Sequence, residues 1–318
     1  MNSNIRISIV VPVYNSEECI LELNKAIHNA LKEFGEYELI LVNDKSQDKS
    51  WEKIEEVCQL NEKAIGISLR KNFGQDGALL AGLRMVKGEY IVIMDDDLQH
   101  SPADILKLYE ECRKGYDVCY ARFSDKKQSG WKNIGSKVNG MLSQKMLNKP
   151  KEIYLSPFKI IKREIIDEIV KFPGSYPYID ASILTITSNL TQIPVEHHER
   201  YKGKSNYSLL RSIKVFMSHV TNYSIYPLRL ITMVGFTSAI VSFILGIIYL
   251  IQYILGATHK VEGWITIVIL LIFFGGVILI SLGLIGEYIG RIFMSVNEKP
   301  QYSIDKIINN KQKEVIDK

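Results

Sequence analysis

Leu230–His259 and Gly263–Gly286 contain no Asp, Glu, Lys or Arg, and this pair of runs restricts the fold more than any other feature of the chain. A helix rises about 1.5 Å per residue, so about 20 apolar residues cross the hydrocarbon core of a bilayer, and each run exceeds that length. Core helices of soluble proteins seldom continue so far without a charge. The short linker Gly256–Glu262 makes the two predicted spans an antiparallel hairpin. Arg200, Lys202, Lys204, Arg211, Lys214 and Arg229 precede it, and Arg291, Lys299, Lys306, Lys311, Lys313 and Lys318 follow it, whereas the linker holds Lys260 alone. Basic flanks stay on the cytoplasmic side. The sequence thus predicts a multi-pass protein of the cytoplasmic (inner) membrane, with both termini and the long N-terminal region in the cytosol. The first apolar run, Ile7–Val13, contains Pro12 and is too short for a secretory signal.

Four segments follow: a soluble domain over 1–205, an amphipathic stretch over 206–227, the two spans within 228–290, and a charged tail over 291–318. With 47% hydrophobic and 23% charged residues, the chain has the means to bury a core. Lys plus Arg number 39 against 35 Asp plus Glu, a balance that excludes a dedicated nucleic-acid binder. Cys19, Cys58, Cys112 and Cys119 lack the Cys-x-x-Cys spacing of a zinc or redox site and read as reduced, buried residues.

Within the soluble domain, strand and helix patterns alternate. Strands are predicted over Ile5–Val13, Tyr37–Asn43, Ala64–Leu69, Glu89–Met94 and Asp117–Ala121. Helices are predicted over Ser16–Phe34, Ser50–Asn61, Gly74–Met85 and Pro102–Lys114, the last capped by Ser101. This alternation means βαβ units and a mostly parallel sheet, covered on both faces. Ligands of such sheets sit outside the carboxyl ends of the strands. Those ends read Tyr14-Asn15-Ser16-Glu17-Glu18, Asn43-Asp44-Lys45-Ser46, Arg70-Lys71-Asn72-Phe73-Gly74-Gln75 and Asp95-Asp96-Asp97-Leu98-Gln99. All four are polar and three carry carboxylates, so they are expected to converge on one crevice.

Three adjacent carboxylates repel one another unless a cation lies between them. Mg²⁺ and Mn²⁺ take oxygen ligands and share them with a diphosphate. Asp95 and Asp97 would lie on one side of an extended chain and Asp96 on the other. A solvated acidic turn is the plainer reading of the same run. No Gly-x-Gly-x-x-Gly follows the first strand, and Gly203-Lys204-Ser205 lacks the upstream glycine of a phosphate loop, His198 standing there instead. His197 and His198, adjacent on an extended segment, point to opposite faces and make a poor metal pair.

Val11-Pro12-Val13-Tyr14-Asn15, Val42-Asn43-Asp44, Asn72-Phe73-Gly74-Gln75 and Met94–Gln99 together resemble the family-two glycosyltransferases with the GT-A fold. His198-x-Arg200-x-x-Gly203-x-Ser205-x-Tyr207 and Gly283-x-x-Gly286-Glu287-Tyr288-Ile289-Gly290-Arg291 narrow the resemblance to polyprenyl-phosphate glycosyltransferases. That group includes bactoprenol glucosyltransferases, undecaprenyl-phosphate aminoarabinose transferases and, more distantly, dolichyl-phosphate mannose synthase. The resemblance covers roughly residues 5–304 and implies an α/β fold: a GT-A, Rossmann-like domain with a two-helix transmembrane hairpin. It implies donor contacts from Pro12, Tyr14, Asn15, Glu17, Asp44, Gln75 and Gln99, with a uridine nucleotide as donor. It implies a catalytic role for Asp95, Asp97, Arg122 and Arg200, Asp95 and Asp97 holding Mg²⁺ or Mn²⁺. Lys137, Arg200 and Ser205 would meet the phosphate of the acceptor. For Arg122, Lys137 and Arg200 an ordinary surface cation is the alternative.

The implied reaction is an inverting transfer from a nucleotide sugar to a polyprenyl (undecaprenyl) phosphate. The phosphate nucleophile is already ionised at neutral pH, so positioning matters more than a strong base. Two other readings stand beside it. A non-catalytic membrane adaptor would keep the fold, and a polysaccharide synthase would carry more spans and a Gln-x-x-Arg-Trp motif, which the chain lacks.

The chain departs from the family pattern in three places. Leu155-Ser156-Pro157-Phe158-Lys159 lacks the carboxylate that many relatives carry before their Phe-Arg-Leu segment. Asp180 is a candidate substitute, and a helix N-cap the alternative. Asp76 stands where relatives have His, and Lys45 where they have Gly.

Leu209, Leu210, Ile213, Phe216, Met217 and Val220 recur at helical spacing, which suits an amphipathic helix lying in the bilayer interface. Gly275, Gly276, Gly283, Gly286 and Gly290 give a small-residue surface, from which a homo-oligomer, dimer or tetramer, is expected. Glu287 and Arg291, four apart, are expected to pair, and the tail after Pro300 is expected to order against a neighbour.

Overall fold

The computed structural model describes residues 5–123, 150, 152–171, 178–196, 226–255, 264–296 and 300–309. These fall into two units: one comprises residues 1–207 with 298–318, the other residues 208–297. The amphipathic stretch (save its last two residues), the linker Gly256–Glu262, and Lys137, His197, His198, Arg200 and Ser205 lie outside the described residues.

In the first unit, β1 (Ile7–Val13), α1 (Ile20–Leu31), β2 (Tyr37–Asn43), α2 (Ser50–Leu60), β3 (Ala64–Leu69), α3 (Gln75–Leu83), β4 (Tyr90–Ile93), α4 (Asp104–Cys112) and β5 (Val118–Phe123) alternate as the apolar periodicity predicts. Then come β6 (Lys159–Lys162), α5 (Arg163–Ile169), α6 (Ile179–Ile186), β7 (Leu190–Val195) and, at the far end of the sequence, β8 (Ile304–Asn309). The sheet order is β7-β5-β6-β4-β1-β2-β3-β8. The β1–β2, β2–β3, β1–β4 and β5–β7 pairs are parallel. β6 runs antiparallel to both β4 and β5, and β8 antiparallel to β3, so the sheet is mixed. The tail therefore orders against its own sheet, where the sequence suggested a neighbour.

Helix ends differ from expectation by a few residues. α4 begins at Asp104, two residues after Pro102, and α1 at Ile20 because Ser16–Cys19 form a turn closed by Cys19 N donating to Ser16 O (2.9 Å).

Alternation along β1 explains the layers. Ile7, Ile9, Val11 and Val13 face the core beneath α1, α2 and α4, while Val10 faces the core beneath α3, α5 and α6. The second face is tight. A Cβ on Gly82 of α3 would lie 2.5 Å from Val10 Cγ1 and 3.0 Å from Val42 Cγ2. The helix backbone thus rests directly on β1 and β2, and Gly82→Ala should lower stability by about 1–3 kcal/mol through overpacking, read as a lower thermal midpoint. Burial pushes the Cys58 and Cys112 thiols up to about 12, which fits inert structural cysteines.

In the second unit, α7 (Tyr226–Ile254) and α8 (Trp264–Val296) are in contact. Leu270–Gly290, with mean hydropathy 2.3 and no part buried, is long and apolar enough to cross a membrane. Ile231–Leu245 is a shorter apolar stretch. Phe243 is 71% exposed and Ile272 71% exposed. Apolar helices this open are stable only in an apolar medium or against a partner. Glu287 lies on α8, and the side chain of Arg291 is outside the described set.

Candidate active site

Topology sets the crevice. From β1 the chain passes to β2 and β3 on one side and returns to β4 on the other, so the order reverses between β1 and β4. The loops leaving these two strands face each other there, the arrangement in which open α/β sheets bind ligands. Tyr14 N donates to Asp96 Oδ2 at 3.4 Å across this gap.

Among the described residues, the non-glycine positions with positive φ are Asn15 (54°), Lys45 (57°) and Leu98 (59°). They follow β1, β2 and β4 respectively. Such backbone is uncommon for lysine and leucine, and strain of this kind gathers where a site needs a fixed geometry.

The first two loops are laced together. Asn15 N donates to Ser46 Oγ (3.0 Å), Gln47 N to Asn15 Oδ1 (2.8 Å), Glu17 N to Asp48 Oδ2 (3.1 Å) and Lys49 N to Glu17 Oε2 (2.8 Å). Asn15 and Glu17 therefore spend polar atoms on shaping the loop, while Tyr14 stands 46% exposed at its tip and Pro12 is buried in β1. Asp44 is buried, and its carboxylate accepts Phe73 N at 2.7 Å and Gly74 N at 2.8 Å. Burial raises its pKa and these two amides oppose the rise. Gly74, at φ 84°, is what lets the chain turn its amide toward Asp44 just before α3.

β4 ends at Ile93, so the acidic residues lie beyond the strand and strict side-to-side alternation does not govern them. Each carboxylate has its own partner. Asp95 Oδ1 accepts Gln75 Nε2 at 2.8 Å, Asp96 faces the Tyr14 amide, and Asp97 Oδ1 accepts Gln99 N at 3.2 Å. Burial, then repulsion from Asp97 and Asp96, pushes Asp95 up to about 7, while Lys159 and Gln75 pull it down. Burial likewise pushes Asp96 up to about 6.

A divalent cation would relieve this crowding of hard oxygen donors. Among the described residues no three His, Cys, Asp or Glu side chains converge as a complete cage. Asp95 and Asp97 offer hard oxygen donors of the kind such a cation takes.

Arg122 lies exposed in β5, in register with Pro194 of β7, two residues past Tyr120 at the sheet end from which the acidic turn leaves, with β6 between β5 and β4. Asp180 is not an N-cap: Tyr178 holds that place, and Asp180 sits in the first turn of α6, paired with Lys159. The sequence reading gave no role to Lys159, Asp48, Ser50 or Asp305. Asp305 of β8 pairs with Lys45 (3.9 Å) and Arg70 (3.4 Å) beside the loops that leave β2 and β3. Sequence offers no cue for that contact, because its partners are separated by nearly the whole chain. The polar run Asp44–Ser50 did carry a signal for Asp48 and Ser50. Ser50 N donates to Asp48 Oδ1 at 3.0 Å, which satisfies the first backbone amide of α2.

The acidic turn and the strained polar loops lie at the switch point of this sheet, on a chain that continues into an apolar hairpin, and the chain's matches to known families make it a glycosyltransferase. The profile of "Glycosyl transferase family 2" matches residues 8–170, that of "GtrB C-terminal hairpin" matches residues 226–292, and the chain belongs to glycosyl transferase family 2.

It is 32% identical over 310 residues to the undecaprenyl-phosphate 4-deoxy-4-formamido-L-arabinose transferase of Proteus mirabilis (strain HI4320), covering 96% of this chain and 95% of the relative. It is 33% identical over 308 residues to the enzyme of the same name from Photorhabdus laumondii, with 96% and 95% covered. Among solved structures, glucosyl-3-phosphoglycerate synthase of Mycobacterium tuberculosis in complex with Mn²⁺ and UDP-glucose superposes with a TM-score of 0.51. It is 16% identical over 69% of this chain and 78% of that one. That likeness establishes the shared fold.

Proposed function

We propose that the protein moves a sugar, with inversion, from a uridine-nucleotide donor to undecaprenyl phosphate at the cytoplasmic face of the membrane. What supports this most is that the match to the Proteus and Photorhabdus transferases runs through both the crevice and the hairpin. The Mycobacterium synthase, solved with Mn²⁺ and UDP-glucose, supports the donor and metal class.

In this reading Pro12, Tyr14, Asn15, Glu17, Asp44, Gln75 and Gln99 bind the nucleotide sugar, and Gln75 fixes the orientation of Asp95. Asp95 and Asp97 hold Mg²⁺ or Mn²⁺. When bound, the cation neutralises charge that builds on the departing nucleoside diphosphate. Arg200, with Lys137 and Ser205, meets the acceptor phosphate, and Arg122 offsets repulsion between the two phosphates. The two C-terminal helices span the membrane with both termini cytosolic, residues 206–227 lie in the interface, and the chain self-associates.

Full-length protein in detergent, given undecaprenyl phosphate and a panel of radiolabelled UDP-sugars, should form a lipid-linked sugar. EDTA should abolish product and Mn²⁺ or Mg²⁺ should restore it. Failure with every donor, or indifference to EDTA, would refute the proposal.

A further inference from the structure

Lys159 is 3% exposed in a strand whose neighbours Ile160 and Ile161 are fully buried and apolar. A buried ammonium is costly unless it is paired, and an aliphatic residue would serve packing as well. Its position has a use. In register, Lys159 lies opposite Ile93 of β4 and Tyr120 of β5, at the end of the sheet from which the acidic turn springs.

Its ammonium donates to Asp180 Oδ1 and stands 5.3 Å over the Tyr120 ring, and Tyr120 Oη donates to the same Asp180 oxygen at 3.0 Å. One residue before Asp180, Ile179 N donates to Asp76 Oδ1 at 3.3 Å, and one residue before Asp76, Gln75 holds Asp95. The contacts form an open chain that runs Asp95, Gln75, Asp76, Ile179, Asp180 and Lys159, and the Lys159 charge in turn lowers the pKa of Asp95. This chain of contacts joins the starts of α3 and α6 to the acidic turn and contains three carboxylates and one ammonium. Burial pushes Asp76 up to about 6, Asp180 adds to the rise, and Lys159 opposes it.

We propose that Lys159 is a positioning residue of the transfer site, one that pins Asp180 and the start of α6 and balances Asp95 from the β6 side of β4 while the donor loops lie on the β1 side. Asp180, held by two donors, is then a strut and not the general base. This rests on the transferase reading above.

The test uses full-length protein in detergent, with turnover measured beside a calorimetric Mn²⁺ titration in the presence of uridine diphosphate. Lys159→Met should lower kcat about 100-fold with donor KM within about twofold, because the starts of α3 and α6 lose their anchor. It should also bind Mn²⁺ about three- to tenfold more tightly, since a like charge near the metal carboxylates is gone. Damage to the fold alone would weaken both. Lys159→Arg, which keeps the charge and the pairing, should stay within about threefold of wild type in both measurements.

Tyr120→Phe, which removes one hydroxyl, should lower kcat about fivefold and leave Mn²⁺ affinity alone. Lys159→Met within twofold of wild-type turnover, or weaker Mn²⁺ binding together with lost turnover, overturns the inference. If Lys159→Met fails to fold, an inactive Lys159→Arg or a Tyr120→Phe at wild-type rate overturns it. A wild-type protein that turns over no sugar refutes the transferase reading, and the Mn²⁺ titration then decides the role of Lys159 alone.

Discussion

Asp97→Ala should lower turnover by about 10²–10³-fold, the range seen when one preorganised electrostatic partner of a transition state is removed. Asp95→Asn should do the same, because it loses a charge held in place by Gln75. Asp96→Asn, whose parent side chain faces the Tyr14 amide, should lose about tenfold through the loop.

pH gives a second handle on the same cluster. In the metal-free protein Asp95 and Asp96 are raised to about 7 and about 6 from an ordinary 3.8. A raised acid binds its proton more tightly when folded. Its stabilising contribution is therefore complete below about pH 4 and is lost as pH climbs through 6 and 7. A bound cation must displace that proton, so Mn²⁺ affinity should fall by about tenfold per pH unit below pH 7 where one proton is displaced. The rise in thermal midpoint given by Mn²⁺ with uridine diphosphate should accordingly be larger at pH 8 than at pH 5.5. An equal rise at both values would remove these carboxylates from the metal site.

The second large effect is expected at Asp44. Its carboxylate satisfies the amides of Phe73 and Gly74 in a buried setting, and Asn72 Nδ2 donates to its carbonyl at 3.2 Å. Hydrogen bonds to a charged group contribute about 1.5–3 kcal/mol each, and orphaned buried donors add a penalty. Asp44→Ala should therefore lower stability by about 3 kcal/mol and weaken uridine diphosphate binding by about 10–100-fold, measured by thermal unfolding and calorimetry. Asp44→Asn, which keeps the shape and one acceptor oxygen, should lie between the two. Unchanged nucleotide affinity in Asp44→Ala would show that this loop is scaffolding only.

Much of the site was legible because its residues sit next to one another in sequence. Asp95–Asp97 follow an apolar β-branched run, and a strand followed by carboxylates has few readings. Asn15 and Asp44 follow strand ends and Gln75 closes the polar run after β3, and the family resemblance gave them donor roles. The limits are equally specific. Nothing local marks Lys159–Lys162 as a strand inserted between β4 and β5, because four residues carry no periodicity. That inserted strand also lies between β4 and the β5 strand that carries Arg122, a spacing that sequence order does not show. Asp180 looked like a cap or a base, and its pairing with Lys159 depends on strand register.

The amino-acid order alone determined the apolar hairpin, the alternating α/β domain and the acidic strand end. Those follow from hydrophobic period and from charges spaced along one segment, which act over a few residues. Tertiary structure decided the switch point between β1 and β4, the return of β8 to β3, and the chain of contacts that runs from Lys159 through Asp180 and Asp76 to Gln75 and Asp95. Each depends on which strands become neighbours, and that choice is made by packing two faces of a sheet at once, between residues far apart in the chain.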